Sequence, residues 1–337
     1  MVRLKDIAVR AGVSIMTVSK VLRDAPDISA ATKARVRKLA EEMGYMPDLM
    51  AQSLRSRTTR VFGLMIPAAT NPVFARIVLA IEECAHELGY DLILAQSLND
   101  LEREARIIRR LLARRVDGMF LSPVYRLDPT AEVYEELARR GTPVVLLGQR
   151  APFCSQFVNV ESDDAAASLS ATRHLLQLGH KRIAFFTGPQ AAPSSQERLE
   201  GYRRALREAQ IEWDDRLIFN AGSTIEEGEN TARQMLEEAP QATALQAASD
   251  LVAIGAANLL FSRGLHIPKD LSVVGFGNIM SGEYFRVPLT TIRQPKHRLG
   301  VAAVESMRRL LRGERPEPKR LSAELVVRQS TAPPRGD

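Results

Sequence analysis

The chain has 337 residues, 45% hydrophobic and 26% charged with two cysteines, which suits two or three domains with buried cores and excludes collagen-like, disordered and disulfide-framework classes. No apolar run approaches the ~20 residues of a membrane span. The net charge of +6 lies wholly in residues 1–60, which hold 12 Lys/Arg and 6 Asp/Glu against 34 of each sign in the other 277 residues, a pattern that fits either a nucleic-acid-binding unit or a solvated basic face.

The opening MVRLKDIAVRAG is charged and amphipathic, with no continuous apolar region and no A-x-A pattern, so a cytoplasmic location is expected. Leu4, Ile7, Ala8 and Ala11 have helical spacing, and Gly12 breaks it. Ser14 suits the N-cap of a second helix to about Leu22, with Met16, Val18, Val21 and Leu22 apolar. Pro26 and Asp27 punctuate. Ser29 caps a third helix, with Thr32, Val36, Leu39, Ala40 and Met43 on one stripe and Gly44 at its end. Two helices joined by a tight turn containing glycine give either a helix-turn-helix or an ordinary helical hairpin; the local charge favours DNA binding. A short stretch from Asp48 to Ser56 follows Pro47, with polar flanks as in a linker.

From Val61 strands and helices alternate. Strand patterns are VFGLMIP, YDLILAQ, DGMFLSP and TPVVLLG in the first half, then RIAFFTG, RLIFN, TALQAAS and LSVVGFG. Helix patterns between them cover Pro72–Gly89, Leu101–Arg115, Ala131–Gly141, Asp163–Gly179, Gln196–Gln210, Thr224–Ala239 and Leu251–Gly264. This spacing means right-handed βαβ units on parallel sheets. There are too many units for one sheet, and FVNVESDD reads as a switch to a second. Two lobes of this kind face each other across a hinged cleft at the carboxyl ends of their strands. Cys84 and Cys154 read as two buried thiols. His180, in a helix-to-strand turn, reads as a cap.

The first segment resembles the DNA-binding headpiece of the lactose-repressor/galactose-repressor family of bacterial transcription regulators. The residues are Asp6-Ile7-Ala8, Ala11-Gly12-Val13-Ser14 and Thr17-Val18-Ser19-Lys20-Val21-Leu22. GYMPDLMAQSLRSR resembles the family's hinge. Asn71-Pro72-Val73-Phe74, S-x-x-R-L-x-G-Y at 195–202, D-x-x-A-I-G-A at 250–256, DLSVVGF at 270–276 and PLTTIRQP at 288–295 follow in the family's order. The resemblance implies an α/β fold: a headpiece at 1–46, a hinge helix and linker at 47–60, and a two-lobed core at 61–330 related to periplasmic binding proteins. One lobe would be about 61–160 plus 291–320, the other about 162–289 plus 321–330. It also implies a homodimer on palindromic operator DNA, with the helix at 72–89 in the interface.

By the same resemblance Ile15, Met16 and Lys20 match base-reading positions. Thr17 and Ser19 match backbone-holding ones, and Ser14 and Arg55 join the DNA contacts. Leu54 matches a leucine that wedges into the minor groove. Effector positions are Phe74, Tyr125, Gln149, Arg198, Ser223, Asp250 and Gln294. Gln149 and Gly277 stand where many members have Asp, and Ser223 where some place an aromatic. With two acidic positions gone, Arg198 reads as lacking a carboxylate neighbour, and Arg150 sits beside the cleft strand end. A sugar acid or sugar phosphate is therefore expected over a neutral sugar. The chain contains no G-x-x-x-x-G-K-[ST], H-E-x-x-H or G-x-S-x-G motif, and its five histidines are scattered, so neither catalysis, nor a metal, nor a cofactor is expected. The alternatives are a solute-binding protein, or an enzyme with a cleft-bound ligand.

Overall fold

The computed structural model describes residues 2–46 and 58–335, and the chain divides into two compact units, one ending at Thr59 and one beginning at Arg60. Among its described residues the first unit has three helices, α1 (Leu4–Ala11), α2 (Ile15–Leu22) and α3 (Ala30–Glu42). Gly12 closes α1 at φ 62°, a left-handed conformation that a side chain would strain. The hydroxyls of Ser14 and Ser29 then accept the backbone N–H of Thr17 (3.0 Å) and Thr32 (3.3 Å), so each next helix starts on a capped turn. Ile7, Val18, Val21 and Val36 meet in a fully buried centre. Each contributes about 1.5–3 kcal/mol by leaving water. Met16, apolar but matched to a base-reading position, stands 68% exposed.

The second unit holds two six-stranded sheets. The first contains β1 (Val61–Ile66), β2 (Asp91–Gln96), β3 (Gly118–Leu121), β4 (Val144–Leu147), β5 (Val158–Ser162) and β11 (Lys319–Leu321), in the order β11-β5-β4-β3-β1-β2. The second contains β6 (Ile183–Thr187), β7 (Ile218–Asn220), β8 (Ala244–Ala247), β9 (Ser272–Phe276), β10 (Thr290–Arg293) and β12 (Glu324–Val326), in the order β12-β10-β9-β8-β6-β7. Every pairing is parallel except β10 with β12. Strands such as VVLL and SVVGF are buried throughout, because helices cover both faces of a parallel sheet.

Four helices serve the first lobe: α4 (Pro72–Glu87), α5 (Leu101–Ala113), α6 (Glu132–Arg140) and α12 (Lys296–Leu311). The second lobe carries α7 (Asp164–Gln177), α8 (Pro193–Glu208), α9 (Ile225–Glu238), α10 (Asp250–Ser262) and the one-turn α11 (Met280–Glu283). The chain passes between lobes three times, after Ser162, after Arg293 and after Leu321. The second passage falls later than the expected position 291: Thr290, Thr291 and Ile292 are buried and pair with β9, so β10 belongs to the second lobe. Helix α8 starts at Pro193, three residues before the expected Gln196, because proline suits the first helical turn.

His180 caps through its backbone: its N–H closes the helix end on the Leu175 carbonyl, while the imidazole is buried against Thr243 and Ser272 and against the Ala332 carbonyl (2.9 Å). With Ser330 bonded to Val273 and Thr290, this fixes the C-terminal segment on the second lobe beyond the expected end near residue 330. Cys154 is buried, Cys84 half-buried, and both are free thiols.

Candidate functional site

In the first unit, Ile15 and Met16 stand on the first turn of α2 with their side chains 49% and 68% exposed. Val18 and Val21 take the opposite face into the core. Among the described residues nothing of its own unit covers the apolar pair of Ile15 and Met16 at the helix N-terminus, and it can meet a thymine methyl in the major groove. The Ser14 hydroxyl is spent on the cap and on Thr17 Oγ1 (2.9 Å). Ser19 offers its carbonyl to Arg23 Nε (3.1 Å). The Lys20 ammonium pairs with Asp27 and holds that carboxyl below its usual range. Asp24, held low in the same way, ties the end of α2 to α3 through Lys33 (3.0 Å) and Arg37 (2.6 Å). Nothing in the sequence pattern pointed to the Lys20–Asp27 pair. Leu54 and Arg55 lie outside the described residues.

In the second unit, a cavity of about 260 Å³ opens between the lobes at the carboxyl ends of both sheets. Phe74, Tyr125 and Gln149 line it from the first lobe, Arg198, Ser223 and Asp250 from the second, and Gln294 from the second passage. The loop that carries Tyr125 is held by a buried anchor. Glu104 on α5 accepts the Val124 N–H (2.8 Å) and the Tyr134 hydroxyl (2.7 Å) and pairs with Arg126. Tyr125 then donates to the Gln149 carbonyl (2.8 Å), and burial pushes its phenol far up. Gln294 donates to Ser162 (3.0 Å), tying the second passage to the first. The Ser223 backbone N–H donates to Glu227 (2.8 Å).

Asp250 begins α10 and is 1% exposed. It accepts from Thr291 Oγ1 (2.5 Å) and from the Ile279 N–H (2.9 Å). Burial pushes its carboxyl up, and these two bonds oppose the shift. Gly277 adopts φ 136°, so the acidic residue expected there from the family pattern would be strained. Its carbonyl accepts from Lys296 (2.7 Å), whose ammonium burial pushes down.

The expected free arginine is not there. Arg198 donates through Nε (2.9 Å) and Nη2 (2.6 Å) to Asp164 Oδ2, and its guanidinium stacks 3.9 Å from the Phe276 ring centroid. Arg150 is exposed and turns to the Ser155 carbonyl, away from the cavity lining. The sequence reading also missed Glu161 and Asp164 on the lining. The only available signal was the run E-S-D-D at the lobe switch. Among the described residues the wall carries three carboxylates (Glu161, Asp164 and Asp250) against one guanidinium, so its balance tilts negative. Glu161 accepts from Asn159 (2.7 Å) and Arg320 (3.0 Å), and burial raises its carboxyl against the pull of Arg320. No described helix is long and apolar enough to cross a membrane.

Residues 3–48 match the family model for bacterial regulatory proteins, lacI family, and residues 172–331 that for the periplasmic binding protein-like domain. Over 331 residues the chain is 33% identical to the HTH-type transcriptional regulator DegA of Bacillus subtilis (strain 168), covering 97% of each. It resembles the solved lac repressor dimer bound to operator and the anti-inducer ONPF, with TM-score 0.87 and 29% identity over 98% of this chain and 99% of that one. It also resembles the transcriptional regulator CelR in complex with cellobiose, with TM-score 0.75 and 31% identity over 98% and 100%.

Proposed function

The chain belongs to the lacI family of bacterial regulatory proteins, and on that premise we propose that it is a dimeric repressor whose hold on a palindromic operator is set by a neutral, polyhydroxylated effector, a sugar, in the cleft. It is a DNA-binding transcriptional regulator. Residues 1–46 form the reading unit, 47–60 the hinge with Leu54 and Arg55 at the minor groove, and 61–330 the effector-binding and dimerising core. Ile15, Met16 and Lys20 read bases, while Ser14, Thr17 and Ser19 hold the backbone. Leu79, 49% exposed on α4, supports that helix as part of the dimer face. The protein works in the cytoplasm, where its DNA is, and leaves its ligand chemically unchanged.

One observation carries the choice of ligand: Arg198, the one guanidinium among the described residues of the wall, is already neutralised by Asp164, while Glu161 and Asp250 add acceptor oxygens to the same wall. Carboxylates accept sugar hydroxyls and repel an acid or a phosphate. The apolar side chain of Phe74 suits the carbon face of a ring. The bound sugar of the CelR complex agrees with this choice.

The test is a thermal-shift screen of the full chain with matched pairs: cellobiose against cellobionic acid, and ribose against ribose 5-phosphate. Neutral members are expected to raise the melting temperature, and a stabilising sugar is expected to change retardation of an operator selected from random duplexes. Stabilisation by only the acid or phosphate members would overturn the neutral class. Turnover of the sugar would overturn the repressor reading.

A further inference from the structure

Arg320 faces Glu161 across the β11–β5 pairing, at the edge of the first sheet. Its guanidinium is shared among three carboxylates. Nη1 donates to Glu161 Oε1 (3.0 Å) and Glu197 Oε1 (2.9 Å), and Nη2 donates to Asp163 Oδ1 (2.9 Å) and Glu197 Oε2 (2.9 Å). Glu161 and Arg320 belong to the first lobe. Asp163 caps α7 and Glu197 lies on α8, both in the second. The arginine thus bridges the lobes beside two of the three passages, those after Ser162 and after Leu321.

One of these partners adjoins the cavity directly: Glu161 is on its wall. Glu197 precedes Arg198, which lines the wall from the opposite lobe. A single exposed ion pair contributes little. This one has a bidentate fork on Glu197, and Glu161 is only 14% exposed. Removing the guanidinium leaves three carboxylates facing one another with no cation among them, so like-charge repulsion adds to the lost attraction.

We propose that Arg320 is an interlobe clasp that holds the angle between the lobes and passes occupancy of the cleft at Glu161 to α8. A hydroxyl donated to Glu161 shares that carboxylate with Arg320, and the arginine in turn grips the helix that carries Arg198. The signalling half of this inference rests on the cleft being the effector site; the mechanical half does not.

Hydrogen exchange on the full chain, with no ligand present, tests the clasp in Arg320→Gln, Glu197→Gln and the double variant. The informative amides are Gln294 and Lys296, on the passage where Arg320 makes no hydrogen bond among the described residues. An interlobe clasp predicts that exchange there rises about fivefold in each single variant and no further in the double, while β1 and β6 stay protected. Arg216→Gln, which breaks an exposed pair with Asp214 inside the second lobe, serves as the control and is expected to change nothing at these amides. Changes confined to 195–199 and 319–321, additive changes, or no change would each overturn the clasp. Because the experiment contains no effector, failure of the effector reading leaves its outcome untouched.

Discussion

Each unit pairs a cation with a carboxylate at its candidate site, and the two treat it in opposite ways. In the N-terminal unit, Lys20 pairs with Asp27 where both side chains are well exposed, at 38% and 53%. In the core, Arg198 pairs with Asp164 where the exposures are 16% and 2%. An exposed pair exchanges partners at little cost, because water and salt already screen it. Lys20 is therefore free to leave Asp27 for a base edge or a phosphate. A buried pair cannot be opened without stranding a charge. Arg198 is part of the wall, and a ligand meets it as a neutral, stacked surface. A cation is left exchangeable in one unit and locked into the structure in the other, and burial decides which.

The largest effect that sharpens this contrast is expected from Asp164→Ala. It leaves the Arg198 guanidinium uncompensated in the core, and urea denaturation should show a loss of about 3–5 kcal/mol. A loss near that of a surface pair would mean that water already reaches Arg198 and that the two pairs are alike. Lys20→Ala comes next. Binding to the selected operator is expected to weaken by about 1–3 kcal/mol, with specificity relaxed at one base position per half-site. An equal loss on random duplex would move Lys20 from base reading to phosphate holding.

Acid provides the gentlest test. Burial lowers His174 and His180 from the ordinary value of 6.5, so the unfolded chain binds these protons first. The core is therefore expected to lose stability as pH falls through 6.5 towards the lowered folded values. In the N-terminal unit Asp24 and Asp27 are lowered from 3.8, so their contribution is present above that value and is lost only as pH falls below it. The fluorescence of Trp213, the sole tryptophan, follows the second lobe, and exchange at Val18 and Val21 follows the helical unit. Parallel acid profiles for the two would break the distinction.

The three helices of the first unit, their serine caps and Gly12 were legible because each depends on residues three or four apart. The alternation of strand and helix from Val61 was legible for the same local reason, and so was the switch after Ser162. The seven positions taken from the family pattern all lie on one cavity wall. The charge of that wall was not legible. Asp164 and Arg198 are 34 positions apart, and no local pattern says that one satisfies the other. The Arg320 network joins residues 123 to 159 positions apart. The lobe boundary expected at about 291 fell inside β10, because three buried residues in a row have no alternation to mark a strand. The cap at His180 was legible, but its imidazole's partners, Thr243, Ser272 and Ala332, were not, because they come from three later segments. The sequence by itself determined the elements and their order, since hydrogen bonds within a turn and apolar period act over a few residues. Only the tertiary structure decided which charges are paired, since helix packing within the second lobe joins Arg198 to Asp164 and the passages between the lobes bring Arg320 to Asp163, each within 3 Å.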